Sequence, residues 1–185
     1  MEFNKLLYER ASIKRFSTEK PQPELIQEII EAGNLAPSPG NLPILRYIIV
    51  EDENLIKKIA QACQQNFITK APYVIVICSD AKNIIRAYNK RAETYVKQQA
   101  GAAIENFLLK ITELGLASCW VGAFSEELVR KTLDIPDEIE IEAILPIGYE
   151  MGKTNQKPKT ELDKILYFNK WKERYMKPLK KPEAL

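Results

Sequence analysis

The short run from Arg10 to Arg15, near the start of the chain, combines cations with a hydroxyl group. If this run is extended, alternate side chains point to the same side, so Arg10, Ser12 and Lys14 would converge on one ligand. Guanidinium, ammonium and hydroxyl groups hold phosphate through charge-assisted hydrogen bonds. The spacing therefore fits a phosphate site. The alternative is a solvated basic turn, which is the commoner origin of such a run.

Two further segments could contribute to a ligand site. The segment from Ala36 to Asn41 must be a loop because of its two prolines and its glycine, and it could offer backbone groups, a hydroxyl and a carboxamide to a planar ligand. Loops of this composition are usually only connectors. In the segment Leu114–Phe124, Gly122 would let the backbone approach a ring, with Trp120 and Phe124 as apolar walls. The alternative for this segment is a core strand with a glycine bend.

A late polar segment, from Lys153 to Lys159, contains three further cations, Lys153, Lys157 and Lys159. Segments this polar are usually only solvated loops. It could instead complete the anion site that Arg10 and Lys14 begin, although spacing alone does not show it.

The absence of histidine narrows the chemistry. The chain has no histidine, which excludes Ser-His-Asp and Cys-His catalysis as well as histidine-ligated metal sites. Cys63, Cys78 and Cys119 are far apart and form no C-x-x-C pair, so we expect neither disulfides nor zinc, and a reducing cytoplasm fits best. If the chain is an enzyme, its reactivity therefore belongs to a cofactor.

Charge and hydropathy exclude other classes of partner. The formal net charge is +2 over 185 residues and the signs are interleaved, so no broad field would attract a nucleic acid. Charged residues such as Glu2, Lys5 and Glu9 interrupt the start of the chain, so we expect no secretion signal there. The most apolar stretch, from Ala100 to Ala117, carries Glu105, Lys110 and Glu113, so we expect no membrane span.

The pattern of apolar residues predicts the elements that position these segments. We expect a short helix around Phe3–Leu7, helices at Pro23–Leu35, Asn54–Gln64, Lys82–Leu114 (broken or continuous) and Ser125–Leu133, and strands at Arg46–Glu51, Tyr73–Ser79, Ser118–Val121 and Ile139–Tyr149. Strands interspersed among helices indicate a sheet covered by helices. Length and composition predict one domain over residues 1–174, followed by a Lys/Pro-rich tail at 175–185.

Taken in order, these segments resemble the flavin-dependent nitroreductase family, and the resemblance runs from Phe3 to Trp171. The marks are an Arg-x-Ser-x-Lys start, an Ala-Pro-Ser-x-x-Asn loop, Ala71-Pro72 before a strand, Leu-Gly-Leu-x-x-Cys-Trp-Val-Gly-x-Phe, and Pro-x-Gly-Tyr at a strand end. The resemblance implies an α+β fold with a mainly antiparallel central sheet flanked by helices. It also implies a homodimer with two FMN sites at the subunit interface.

The resemblance also assigns the flavin contacts. The contacts with the flavin phosphate would come from Arg10, the backbone of Ala11, Ser12, Lys14, Lys157 and Lys159. The isoalloxazine ring would lie beside Pro37, Ser38, Pro39 and Asn41 of the other subunit. Asn66 would meet the pyrimidine side of the ring, and Val121 and Gly122 would lie near N5. Small residues at Ala100–Ala103 would lie in the dimer core, although their spacing fits packing within one chain equally well.

The implied activity is transfer of hydride from NADH or NADPH through flavin N5 to a small acceptor such as a nitroaromatic or a quinone, in a ping-pong cycle without a catalytic side chain. Two departures concern the pocket: Ala11 stands where many members have a second arginine, and Pro43–Leu45 replaces a common Gln-Pro-Trp. The alternatives are a flavin carrier or redox sensor, or dehalogenation, ring oxidation or flavin breakdown, for which Ala81–Lys97 is the only place for a lid.

Overall fold

The computed structural model describes residues 1–173. The helices are α1 (Phe3–Glu9), α2 (Pro23–Asn34), α3 (Glu53–Ala62), α4 (Lys82–Tyr88), α5 (Ala92–Glu113), α6 (Glu126–Leu133) and α7 (Leu162–Ile165). The strands are β1 (Leu45–Val50), β2 (Tyr73–Ser79), β3 (Ala117–Ser118) and β4 (Glu140–Gly148). Short 3-10 helices lie at Pro39–Asn41, Asn66–Lys70 and Asn89–Arg91. The predicted domain end at residue 174 and the predicted tail lie outside the described residues.

The four strands form one antiparallel sheet in the order β1-β2-β4-β3. All seven residues of β2 are buried, which explains why its sequence is an uninterrupted apolar run rather than an alternating one. Ile75 pairs with Ile49 on one side and with Leu145 on the other. The expected α+β architecture with a mainly antiparallel sheet is confirmed.

Each face of the sheet has its own hydrophobic core, because successive side chains of a strand point to opposite faces. Ile75 and Ile77 face a core built with α2, α4 and α5, whereas Val74 and Val76 face a core built with α3 and α6. Phe107 of α5 is fully buried in the first core. The sheet therefore separates α5 from α3 and holds both in fixed positions.

Helix ends follow the local signals in the sequence. Pro23 lies in the first turn of α2, Asp52 caps α3 by accepting from the backbone N–H groups of Asn54 and Leu55, and Ser125 caps α6. Gly115, with φ +72°, follows the end of α5. The predicted helices and their boundaries agree with the structure to within two residues at these ends.

Two predictions from the pattern need correction or completion. The region Lys82–Leu114 is broken, since Asn89 adopts a φ of 47° between α4 and α5. The strand predicted at Ser118–Val121 is instead Ala117–Ser118, because Cys119 and Trp120 leave the hydrogen-bonded ladder before Val121 returns as a single bridge to Ile144. Within residues 1–173, no helix is long and apolar enough to cross a membrane.

Candidate functional site

The basic run lies beside β3 as an extended segment. Ala11 and Ile13 are buried against Ala71 and Ala117, whereas the intervening Ser12 and Lys14 are exposed and Arg10 is half-buried. The backbone N–H of Ile13 donates to the Ser118 carbonyl at 2.8 Å. The apolar residues thus anchor the segment, and Arg10, Ser12 and Lys14 alternate with them as the extended backbone predicts.

The late polar segment, from Lys153 to Lys159, and the residues just before it lie along the basic run. The side-chain amide of Gln156 donates to the backbone carbonyls of Arg10 at 2.9 Å and Leu7 at 3.2 Å. Met151 N–H donates to the Arg15 carbonyl at 3.0 Å. These contacts bring the part of the chain that carries Lys157 and Lys159, both exposed, next to Arg10. Spacing alone could not show this proximity, and Gln156 was not among the predicted site residues.

Neighbouring elements orient Arg10 and Lys14, two of the three cations of the run. Arg10 Nε lies 3.6 Å from Glu105 Oε1 on α5, and Lys14 Nζ lies 5.0 Å above the ring of Phe67. Phe67 also stacks against Phe16 at a centroid distance of 6.5 Å. Because Phe67 follows Asn66, the cation–π contact places the turn that carries Asn66 beside Lys14.

A buried thiol lies beneath Ser12 and Lys14. Burial raises the pKa of the Cys119 thiol, while the nearby Lys14 ammonium and Ser12 hydroxyl oppose that rise. The pKa of Cys63 and that of Cys78 are each raised from 9.0 to about 11 by burial.

We expect the native protein to resist thiol reagents. All three cysteines are buried and neutral near pH 8, and the thiolate is the reactive form. A chromogenic disulfide reagent should label none of them in the native state at pH 8 and all three after unfolding. Because the folded-state pKa values are raised, the unfolded chain loses these protons first, so the free energy of unfolding should fall as pH rises from 9 to about 11. Rapid native labelling at pH 8 would contradict this burial.

Asn66 begins the short helix Asn66–Lys70 and is exposed. Thr69 Oγ1 donates to its backbone carbonyl at 2.8 Å, which leaves the Asn66 carboxamide available to a ligand. A cleft of about 350 Å³ opens here, and its lining residues are Lys57, Ala60, Gln61, Gln64, Gln65, Asn66 and Thr69. The cleft beside Asn66 is thus open to solvent, and most of its lining residues are of polar or charged types.

The loop with two prolines meets α5 rather than the basic run. Pro37, Ser38 and Pro39 form a cleft with the residues of α5 from Tyr95 to Ala102. The hydroxyl of Tyr88, at the end of α4, lies close to Gly40, where φ is +60°. Ala102 lies one helical turn before Glu105, the partner of Arg10, so α5 connects the cleft with the basic run.

Val121 and Gly122 have different environments. Val121 is buried and exchanges backbone hydrogen bonds with Ile144 at 3.0 Å, whereas Gly122 is exposed, and a Cβ there would meet only Trp120 Nε1, at 3.9 Å. Trp120 is 42% exposed and can flank a ligand, but Phe124 packs into the core against α3 and α6. Of the two predicted apolar walls, Trp120 is therefore the exposed one, and Phe124 is partly buried.

Comparison with known proteins gives one family. The profile of the Nitroreductase family matches residues 7–69 and 60–149. A putative NADH dehydrogenase/NAD(P)H nitroreductase of Archaeoglobus fulgidus is 33% identical over 150 residues, covering 78% of this chain and 83% of that protein. An iodotyrosine deiodinase of Thermotoga neapolitana is 26% identical, covering 85% of this chain and 96% of that protein.

The fold has close counterparts among solved structures. An FMN-dependent nitroreductase from Clostridium difficile superposes with a TM-score of 0.78 at 26% identity, covering 90% of this chain and 98% of that chain. The shared architecture extends over nearly the whole of both chains. The ranges matched by the family profile include the basic run, the proline loop and the bridge residue Val121.

Proposed function

The chain belongs to the nitroreductase family, and from that premise we propose that it is an FMN-dependent oxidoreductase that uses NAD(P)H. The observation that carries the proposal is the joining of two distant basic segments. Gln156 ties the late polar segment to the backbone of Arg10, and this contact supports a shared site for the cations of the two segments, Arg10 and Lys14 with Lys157 and Lys159. A concentration of cations with an adjacent hydroxyl is a suitable site for a phosphate monoester.

The residues present fit FMN along its length. Arg10, Ser12, Lys14, Lys157, Lys159 and the backbone of Ala11 would hold the phosphate. Asn66 would meet the pyrimidine side, Val121 and Gly122 would approach the ring near N5, and Pro37, Ser38, Pro39 and Asn41 would border the ring held by the other subunit. The exposure of Gly122 and the open cleft beside Asn66 support this arrangement.

When bound, FMN supplies hydride and electron transfer between a nicotinamide and a small acceptor. The chain's own residues bind and orient. Lys14 and the other cations would supply positive charge, the backbone near Gly122 would offer hydrogen-bond donors, and Trp120 would shield one side of a bound ring from water. Because the chain contains no histidine, protons would come from water rather than from a side chain. A nitroaromatic or a quinone is the proposed acceptor, in a ping-pong cycle.

A homodimer is part of the proposal. Gly101 and Ala102 of α5 are half-buried, and a Cβ added to Gly101 would meet nothing within 4 Å, so α5 has room for close approach of another backbone. On the elements that pack against α5, apolar residues are exposed, with Phe3 of α1 at 63% and Leu35, at the end of α2, at 83%. Covering such surface by a second copy would bury apolar area. A cytoplasmic location stays a prediction.

Reductive dehalogenation is the second candidate, and the iodotyrosine deiodinase of Thermotoga neapolitana supports it. The segment Ala81–Lys97, the only place where a lid for such a reaction could sit, forms α4 and the start of α5. Ile84 and Val96 anchor it in the core. The segment is thus a packed part of the fold, which favours the reductase.

The absorption spectrum of the purified protein tests the proposal. We expect a yellow protein with flavin bands, or a colourless one that acquires them when incubated with FMN. Under anaerobic conditions, NADH or NADPH should then bleach these bands, and menadione should restore them. A protein that takes up no FMN would contradict the cofactor assignment. A protein that binds FMN but is bleached by neither nicotinamide would instead support a flavin carrier.

A further inference from the structure

Two cations of the basic run and the late polar segment have no part in the proposed flavin site. They are Arg15, the last residue of the basic run, and Lys153, the first residue of the late polar segment. Both are exposed, and neither forms an ion pair with a carboxylate among residues 1–173. Their positive charge is therefore available to a ligand.

The fold holds Arg15 against the turn that leads to Lys153. The backbone carbonyl of Arg15 accepts a hydrogen bond from the Met151 N–H at 3.0 Å. Gly152 has a φ of +97°, a conformation that favours glycine, and a Cβ there would lie 3.6 Å from Arg15 Nη2. The guanidinium group thus packs on the backbone at Gly152, directly before Lys153. The two cations, which are far apart in the sequence, are neighbours in the fold.

This pair of cations lies at the opposite end of the basic run from Arg10. Phe16 forms an antiparallel bridge with Glu150, and Gln156 donates to the carbonyl of Arg10, so the two segments run in opposite directions. Five residues of extended chain span about 16 Å, which is the separation expected between the backbones of Arg10 and Arg15. The two ends of the run therefore offer separate places for an anion.

The end with Arg15 is the one beside the proposed flavin ring. Lys14, the residue before Arg15, lies with Nζ 5.0 Å from the ring centroid of Phe67. Phe67 follows Asn66, which the proposed function places at the pyrimidine side of the ring. A molecule that stacks on the ring would therefore pass close to Arg15, whereas the flavin phosphate would lie toward Arg10.

The two segments carry more positive charge than the flavin phosphate neutralises. Residues 10–17 and 149–159 together contain six cations and one acid, Glu150. Glu105 adds a second acid opposite Arg10. A phosphate monoester carries a charge of about −1.5 to −2 at pH 7, so about two positive charges remain when FMN is bound. This excess suits a second phosphate group.

We propose that Arg15 and Lys153 bind the 2′-phosphate of NADPH and thereby make the protein prefer NADPH to NADH. The two coenzymes differ only in this phosphate. A guanidinium group can form two parallel hydrogen bonds with phosphate oxygens, and an ammonium group adds a mobile point charge. The inference deepens the proposed function and rests on it, since it requires that a nicotinamide coenzyme stacks on the flavin.

Steady-state kinetics of the FMN-loaded protein, with menadione as the acceptor, give the first test. The wild type should have a KM for NADPH about tenfold below its KM for NADH. The double variant Arg15→Met with Lys153→Met should raise the KM for NADPH about tenfold more than the KM for NADH, with little effect on kcat. An equal rise in both KM values would overturn the proposal, because the two cations would then contact a group that both coenzymes share.

The matched control removes two exposed cations elsewhere. Lys58→Met with Lys131→Met, on α3 and α6, should leave the ratio of the two KM values as in the wild type. The Arg15/Lys153 variant should also keep the affinity of the wild type for FMN, because the flavin phosphate lies at the other end of the run. A large loss of FMN affinity in this variant would overturn the assignment of a separate site.

A second test needs no hydride transfer. The probes 2′,5′-ADP and 5′-AMP differ only in the 2′-phosphate, and isothermal titration measures their binding to the protein with and without FMN. The wild type should bind 2′,5′-ADP about tenfold more tightly than 5′-AMP, and the Arg15/Lys153 variant should bind both alike. Equal binding by the wild type, or an unchanged preference in the variant, would overturn the proposal. A protein that neither coenzyme reduces would contradict the proposed function, while the two probes would still decide this site.

Discussion

Replacing both Arg10 and Lys14 by alanine should weaken FMN binding about 100-fold. A hydrogen bond between a charged donor and a phosphate contributes about 1.5–3 kcal/mol, and two such contacts at the low end of that range amount to about 3 kcal/mol, or a factor of about 100. The low end applies because Lys14 is exposed to solvent. Titration of the apoprotein with FMN, followed by quenching of flavin fluorescence, measures the change.

The control for this pair is a double variant with the same loss of charge elsewhere. Lys58→Ala with Lys131→Ala removes two exposed cations from α3 and α6, and it should bind FMN as the wild type does. Binding to the wild type should also weaken as salt is raised, and this dependence should be smaller in the Arg10/Lys14 variant. Equal affinities for FMN in the wild type and both double variants would place the phosphate elsewhere.

The sequence was sufficient to predict the features that depend on the types and spacing of neighbouring residues. The apolar run of β2 reflects burial on both faces, and the alternation of Ala11 and Ile13 with Ser12 and Lys14 reflects an extended segment with one buried side. The N-caps of α3 at Asp52 and of α6 at Ser125 are each indicated by a sequence pattern of only a few residues. Such features depend on near neighbours, so they can be predicted without knowing the rest of the fold.

The parts that sequence reasoning missed depend on contacts between distant residues. Gln156 reaches Arg10 across 146 positions, and no local pattern distinguishes it from the other exposed glutamines. The cleft between the proline loop and α5 likewise exists only because Pro37 and Gln99, far apart in the chain, lie beside each other in the fold. The early end of β3 likewise depends on how Val121 meets Ile144.

The packing of α2 against α5 connects the stability of the fold with the site. The side-chain amide of Asn106 donates to the Ala32 carbonyl at 3.1 Å, and Gly33 in the last turn of α2 lies directly against the ring of Phe107. The proline loop begins only a few residues after Gly33. The position of that loop, and with it the cleft at Gln99, therefore depends on how closely the two helices approach.

The substitution Gly33→Ala should lower the free energy of unfolding by about 2 kcal/mol. A Cβ at this position would lie 1.9 Å from Phe107 Cε1, and the ring is fully buried. Overpacking of a core costs about 1–3 kcal/mol or more, whereas alanine gains only up to about 1 kcal/mol in helix propensity, so the steric term should dominate. Urea unfolding followed by circular dichroism measures the change.

A second substitution separates this clash from any other effect of the new methyl group. Phe107→Leu removes the ring atoms that a methyl group at position 33 would strike, so Gly33→Ala should cost less in the Phe107→Leu background than in the wild type, a non-additivity typical of residues in contact. FMN affinity should follow the same pattern, because the displaced end of α2 leads into the proline loop. If Gly33→Ala instead stabilised the protein in both backgrounds, helix propensity would dominate and the close approach of α2 to Phe107 would be contradicted.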